Sequence, residues 1–266
     1  MSQAMLRYLW ILTLVLALHA APAQVFAGQP LETETSRLLR RGTFELEAGV
    51  EHQRSSGGTE TAIPLAIEYG VTDRLELLVE PVPYSAIHDK GARAQTGIGD
   101  VEVTATSLLV REGRRHPALA LAGEIKVPTA DKLRIGSGET DVSFYLIAGK
   151  QLGRWDTHAN VGYTFVGAPA GTSVTNTEFF ALAEEFQWKP RWQLVGEVFR
   201  TTAALPEGGE GTGSAESTLT PEIGGAETVG TLGMRYLDGG GLVYTLGVSY
   251  DNNAAFLIHP GMTLRW

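Results

Sequence analysis

From Phe44 to the C-terminus, apolar and polar side chains alternate with a period of two over most of the chain. In Phe44-Glu45-Leu46-Glu47-Ala48-Gly49-Val50-Glu51 the apolar residues occupy one set of alternate positions and the glutamates occupy the other. Successive side chains of a β-strand point to opposite faces, so such a segment is a strand between an apolar phase and a polar one. The pattern returns at 63–71, 75–79, 101–109, 119–127, 142–148, 159–165, 192–198, 231–236, 242–250 and 258–266. Residues 179–188 also read as a strand, with Phe180, Leu182 and Phe186 outward; that parity places Glu184 outward too, and a short helix is the alternative there. The periodicity predicts about twelve strands, an even number of the kind single-chain bacterial barrels use.

Connector lengths alternate as well. Residues 72–74, 112–117, 153–156, 189–191 and 238–241 are short, whereas 54–59, 84–97, 128–140, 167–175 and 201–227 are mostly longer and richer in Gly, Ser and Thr. The connector at 251–253 is short and breaks the contrast. Short turns on one side and long loops on the other predict an all-β, antiparallel transmembrane barrel with periplasmic turns and extracellular loops. Tyr69, Trp155, Trp188, Trp192, Tyr236 and Trp266 fall near the short turns, and Tyr84, Tyr163, Phe165, Tyr250 and Phe256 near the long loops. Two aromatic belts suit two membrane–water interfaces. A soluble sandwich or lipocalin-like barrel would alternate too. It would need a wet outer face, and a dry core could not hold this many glutamates without partners. The final strand carries Met262, Leu264 and Trp266 in phase, which resembles the C-terminal assembly signal of outer-membrane barrels and makes the barrel assembly machinery an expected partner.

The N-terminus sets the compartment. Arg7 precedes an apolar run over 8–18, and Ala23 and Ala27 each end a stretch that could be cleaved. This is the layout of a secretory signal peptide, and the run is too short to span a membrane. The expected organisation is a signal peptide at 1–27, a periplasmic segment at 28–42 and an outer-membrane barrel at 43–266. The chain has no cysteine, which excludes disulfide staples, a Cys-based metal site and a Cys nucleophile. Its net charge of −9 argues against nucleic acid as a partner, which would call for a basic face.

An ordered series of motifs carries a family resemblance. It runs from Tyr69-Gly70-Val71-Thr72-Asp73-Arg74-Leu75-Glu76-Leu77 through Thr96-Gly97-Ile98-Gly99-Asp100-Val101-Glu102-Val103 to Glu124-Ile125-Lys126-Val127-Pro128-Thr129. Gly136-Ser137-Gly138, Asp141 and Asn160-Val161-Gly162-Tyr163 complete it. The series resembles the MetA-pathway of phenol degradation family, a group of transporter-like outer-membrane barrels. Where members often have Pro-Thr-Gly, this chain has Pro128-Thr129-Ala130. The resemblance implies an outer-membrane barrel and, more loosely, small aromatic or hydrophobic solutes.

Strand parity places Glu45, Glu47, Glu51, Glu68, Glu76, Glu80, Glu102, Glu124, Lys126, His158, Asn160, Glu197 and Arg235 on the lumen side, with Arg265 as a further inward cation. An acidic excess in a wet pore favours cations over anions. Small inward residues such as Ala62, Ala66, Ala118, Ala120, Ala122, Gly49, Gly162 and Gly247 leave room, which predicts a narrow lumen that loops such as 84–97 could plug. The expected function is passive passage of a small solute across the outer membrane, with lipid around the barrel and no cofactor or metal. A structural or adhesion barrel is the alternative, with the Gly-rich loop at 206–217 exposed at the surface. An outer-membrane lipid hydrolase is a third reading. His158 and His259 point inward and no histidine shares the face of Ser107, so the chain is expected not to be an enzyme.

Overall fold

The computed structural model describes residues 30–130, 135–204 and 226–266. The expected signal peptide at 1–27 and the Gly-rich loop at 206–217 lie outside the described residues.

The described chain is a closed antiparallel β-barrel of 12 strands. Its first four strands are each broken into two segments: β1 (Phe44–Gly49) and β2 (Glu51–Arg54), β3 (Gly58–Ile63) and β4 (Leu65–Thr72), β5 (Leu75–Pro81) and β6 (Tyr84–Asp89), β7 (Gln95–Gly97) and β8 (Val101–Val110). The others are unbroken: β9 (Ala118–Val127), β10 (Asp141–Leu152), β11 (Trp155–Phe165), β12 (Thr177–Lys189), β13 (Trp192–Thr201), β14 (Glu227–Leu237), β15 (Leu242–Asp251) and β16 (Phe256–Arg265). The segment 179–188, for which a helix was the alternative, is strand throughout.

The ring closes between β1 and β16, where Leu46 faces Leu264 and Ala48 faces Met262. Phe44 and Trp266 complete the seam by exchanging two backbone hydrogen bonds of 3.0 Å each, with their rings 6.0 Å apart. Closure leaves no strand edge along this seam, so the backbone polar groups of the wall are paired within it.

The alternation read from the sequence decides which face is which. Leu146, Val161, Leu182 and Leu246 are each about half exposed on the outside, while Ile147, Ala120, Ala183 and Asn160 on the intervening positions are at most 2% exposed. An apolar outer surface wraps a polar interior.

The four interruptions adjoin one another and form a crease across the wall. Pro64 separates β3 from β4, Val82-Pro83 separates β5 from β6, and Pro260 lies opposite Val50 on β16. Proline cannot donate to the ladder, so a row of neighbouring prolines breaks the sheet where it bends. The crease keeps some backbone bonds: Gly49 N–H donates to Pro64 O (3.2 Å), Val50 N–H to Pro260 O (2.9 Å) and Gly99 N–H to Val82 O (2.8 Å). Beyond it the outward positions turn polar, with His52, Arg54 and His88 exposed. Residues 84–97, expected as a plugging loop, instead form the hairpin β6–β7 in the wall, joined to β3.

Candidate functional site in the barrel interior

Inward positions of β1, β4, β5, β8 and β9 build an acidic wall. Glu45 faces Glu68 across one strand pair, and Glu80 faces Glu102 across another. Like charges directly opposite destabilise a ladder, and a buried carboxylate needs compensation. Arg265 pairs with Glu45, and the Thr263 hydroxyl donates to Glu47 at 3.1 Å. Lys126, 1% exposed, stands in register with Glu102 and lies 2.6 Å from Asp141. The Glu124 carboxylate accepts from Thr104 and Tyr145 hydroxyls, each at 3.3 Å. Across the lumen, Arg235 Nη1 lies 2.8 Å from Glu185, which also accepts from Gln193 Nε2 at 2.6 Å. His158 completes this group, 3.9 Å from Glu185 and 3.8 Å from Asp156.

The space between these walls is occupied by the chain's own N-terminal segment. Residues 30–42 run from mid-barrel to the short-turn rim, where β1 begins. Glu32 is exposed, as are Arg40, Arg41 and Gly42 at that rim; the other residues of 30–42 are buried or half-buried, so the segment expected in the periplasm lies mostly inside the barrel. A segment inside a closed barrel finds no free strand edge, so its backbone must be satisfied by side chains. Glu197 accepts from the backbone N–H of Glu32 (3.2 Å) and Thr33 (2.6 Å), and from the Thr33 hydroxyl. Asn160 Oδ1 accepts from Glu34 N–H at 2.6 Å while its Nδ2 donates to Glu34 O at 3.0 Å. Glu76 accepts from Leu39 N–H. Three residues expected to line the lumen are therefore holders of this strap.

Side chains fix the strap further. Arg37 donates to Asp156 through two nitrogens, one at 2.6 Å, and to Glu112 at 3.0 Å. Glu112 also accepts from Lys150 at 2.7 Å. These hydrogen bonds hold the Glu112 carboxyl below its usual range although burial works the other way. Burial inside the barrel, together with Glu124 and Glu76, pushes the Glu34 carboxyl up to about 8. Glycines admit the strap closely: side chains at 233 and 247 would meet Pro30, and one at 149 would meet Ser36. The small inward residue Gly247, expected to leave open room, is thus filled by Pro30. Ala118, Ala120 and Ala122 pack with Leu108 and Ile147 against Leu38 of the strap.

Toward the long-loop end the interior carries an apolar cluster among buried polar residues such as Glu227 and Asp251. Ala181, Phe199, Val229 and Leu257 are buried together, with Phe179 against them. The Phe179 ring lies 5.7 Å from that of Phe199 and 5.9 Å, edge-on, from that of Tyr145.

Ser249 Oγ lies 2.7 Å from His259 Nε2 and 2.8 Å from the Thr231 hydroxyl, and Glu51 is 4.0 Å from His259 Nδ1. A hydrolytic triad needs a hydrogen-bonded acid and free oxyanion donors. Here the acid stands beyond hydrogen-bond distance, and Ser249 sits mid-strand, between β14 and β16. Among the described residues, no group of three or more His, Cys, Asp or Glu could hold a metal ion.

Residues 27–224 match the family model described as "Putative MetA-pathway of phenol degradation". The chain belongs to this family. Its fold is that of outer-membrane channels and porins. It is similar to the crystal structure of the COG4313 outer membrane channel from Pseudomonas putida F1, at 15% identity with a TM-score of 0.65, covering 91% of this chain and 100% of that one. The NanC porin (9% identity, TM-score 0.57) and the KdgM porin (8%, 0.53) each cover 82% of this chain, which spans 98% of theirs. No match appears among curated proteins.

Strand parity alone missed the strap, whereas the inward Glu185 and the ring cluster of Tyr145, Phe179 and Phe199 go unnamed although parity turns them inward. The rings were legible in part, because Phe179 and Phe199 take the inward parity of their own strands. The strap carries no periodicity, and its only trace was the set of glycines on strands facing it.

Proposed function

We propose that this family member is an outer-membrane channel for passive entry of small aromatic or apolar solutes, with the segment 30–42 as its resident plug. The observation that carries this reading is the cluster of Tyr145, Phe179 and Phe199, inside the barrel on the long-loop side. Aromatic side chains turned inward serve no lipid contact and offer a stacking surface to a flat apolar solute. The family's description, which refers to phenol degradation, and the similarity in fold to the outer membrane channel of Pseudomonas putida agree with it.

The apolar exterior suits the outer membrane as location, with lipid as its solvent. The in-phase and exposed Met262 and Leu264 of β16, with Trp266 just after it, suit recognition by the barrel assembly machinery. The acidic wall gives the water-filled remainder of the lumen a bias toward cations. A non-transporting structural barrel is favoured by one observation, the strap filling the lumen. Uptake of labelled phenol and of a hydrophilic solute of similar size into liposomes bearing the pure, folded protein separates the two. Phenol flux above empty liposomes is the expected result; no flux of either solute and no conductance events sink the channel reading.

A further inference from the structure

The short-turn rim carries an unusual charge for so acidic a chain. Arg74 stands in the β4–β5 turn, Arg114 and Arg115 in the β8–β9 turn, Arg154 in the β10–β11 turn, and Lys189 and Arg191 flank the β12–β13 turn. All six are exposed, and among the described residues none of them is ion-paired, although Arg154 donates to the Gln187 and Trp188 carbonyls. No ion pair joins these cations to the acids nearby among the described residues; Asp73, exposed beside Arg74, accepts from Arg41 N–H at 3.4 Å. Glu112 is bound to Arg37 and Lys150, and Asp238 accepts from Gly240 N–H (2.6 Å) and Leu242 N–H (3.1 Å).

The cations adjoin an outward aromatic girdle. Arg154 lies over the Phe186 ring at 4.8 Å from its centroid, and Lys189 over Trp188 at 4.4 Å. Trp155 stands 4.5 Å from Phe186, and Trp192 4.8 Å from Tyr236. Tryptophan and tyrosine settle at the membrane–water interface, and cations just outside such a belt stand at the depth of lipid phosphates. A guanidinium fork matches a phosphate with two parallel hydrogen bonds.

From this arrangement we infer that the short-turn rim is a docking belt for anionic phospholipid headgroups in the membrane leaflet it faces. The inference rests on the membrane reading above but not on any transported solute. Each phosphate is bound by cations of one turn or of adjacent turns, while the girdle holds the acyl chains against the wall. The belt fixes the depth and tilt of the barrel, opposite in sign to its acidic interior.

The test uses the full mature chain, folded into nanodiscs of phosphatidylethanolamine with one fifth phosphatidylglycerol, with folding verified by heat-modifiable gel migration. Lipids retained after detergent extraction are identified by native mass spectrometry. The inference expects phosphatidylglycerol enriched at least threefold over its bulk share, and a return toward the bulk share in the turn-tip variant R114Q/R115Q. The variant R191Q gives an independent reading at a second turn. Inorganic phosphate at constant ionic strength distinguishes a site for free phosphate: enrichment should survive it. Retention at the bulk ratio, enrichment unchanged in both variants, or enrichment abolished by inorganic phosphate would each overturn the inference, whereas an unfolded barrel would count against the membrane reading itself.

Discussion

Asn160 holds Glu34 by both of its backbone polar groups, with Oδ1 accepting at 2.6 Å and Nδ2 donating at 3.0 Å. An asparagine amide carries one donor face and one acceptor face, so a single side chain imitates a neighbouring strand where none can reach. Asn160→Ala leaves a half-buried N–H and C=O without partners, a cost of up to about 1–3 kcal/mol for such groups. That corresponds to roughly 5- to 150-fold more undocked strap. The expected outcome is faster proteolysis near residue 34 in the folded barrel, together with raised conductance.

Arg37 ties the strap to the short-turn rim through Asp156 and Glu112. In Arg37→Ala, Glu112 keeps Lys150, but Asp156 loses its cation partner. Removing one partner of a half-buried pair costs more than the exposed-pair value of up to about 1 kcal/mol. Conductance noise at low salt should rise in the variant, and high salt should bring the native protein toward the same behaviour.

Strap docking should depend on pH from both sides. The Glu112 carboxyl is held low by Lys150 and Arg37, so its contribution is present above about 4.5 and is lost as pH falls further. The Glu34 carboxyl is pushed up to about 8, so docking is unopposed by its charge below about 4.5 and weakens as pH rises through 8. Strap proteolysis measured against pH should therefore pass through a minimum near pH 4.5, where the Glu112 contribution is complete and the Glu34 charge does not yet oppose docking, and should climb from there to about pH 8. A flat profile in a barrel that stays folded contradicts this.

The barrel was legible in the sequence because alternation is a property of each strand alone. Leu146 and Val161 face out and His158 and Asn160 face in, as period two requires. The crease was not read, although Pro64, Pro83 and Pro260 were visible, because their adjacency exists only across the ladder. The interior reads from the sequence as acids around a narrow lumen that loops such as 84–97 could plug. What fills that space is a segment with no period of its own, whose partners Glu76, Asn160 and Glu197 come from three separate strands. Parity assigns a side chain to a face but does not say what it meets there.

The aromatic cluster makes its own prediction. Phe179 is half-buried between Tyr145 and Phe199, so Phe179→Ala removes the central ring without touching the strap's holders. Uptake of phenol into liposomes should fall several-fold, while flux of a hydrophilic solute of similar size stays unchanged or rises. Equal losses for both solutes would point to a narrowed or misfolded lumen rather than to recognition.

The most direct test of the resident plug uses the chain's lack of cysteine. Ser36 Cβ lies 3.6 Å from the position a Cβ would take at Gly149, within the span of a disulfide. The double variant Ser36→Cys, Gly149→Cys should oxidise to a cross-link between strap and wall. Phenol flux measured on the same liposomes before and after reduction should be near background when the strap is locked and should recover when it is released. Equal flux in the two states, with the cross-link verified by mass spectrometry, would contradict the account.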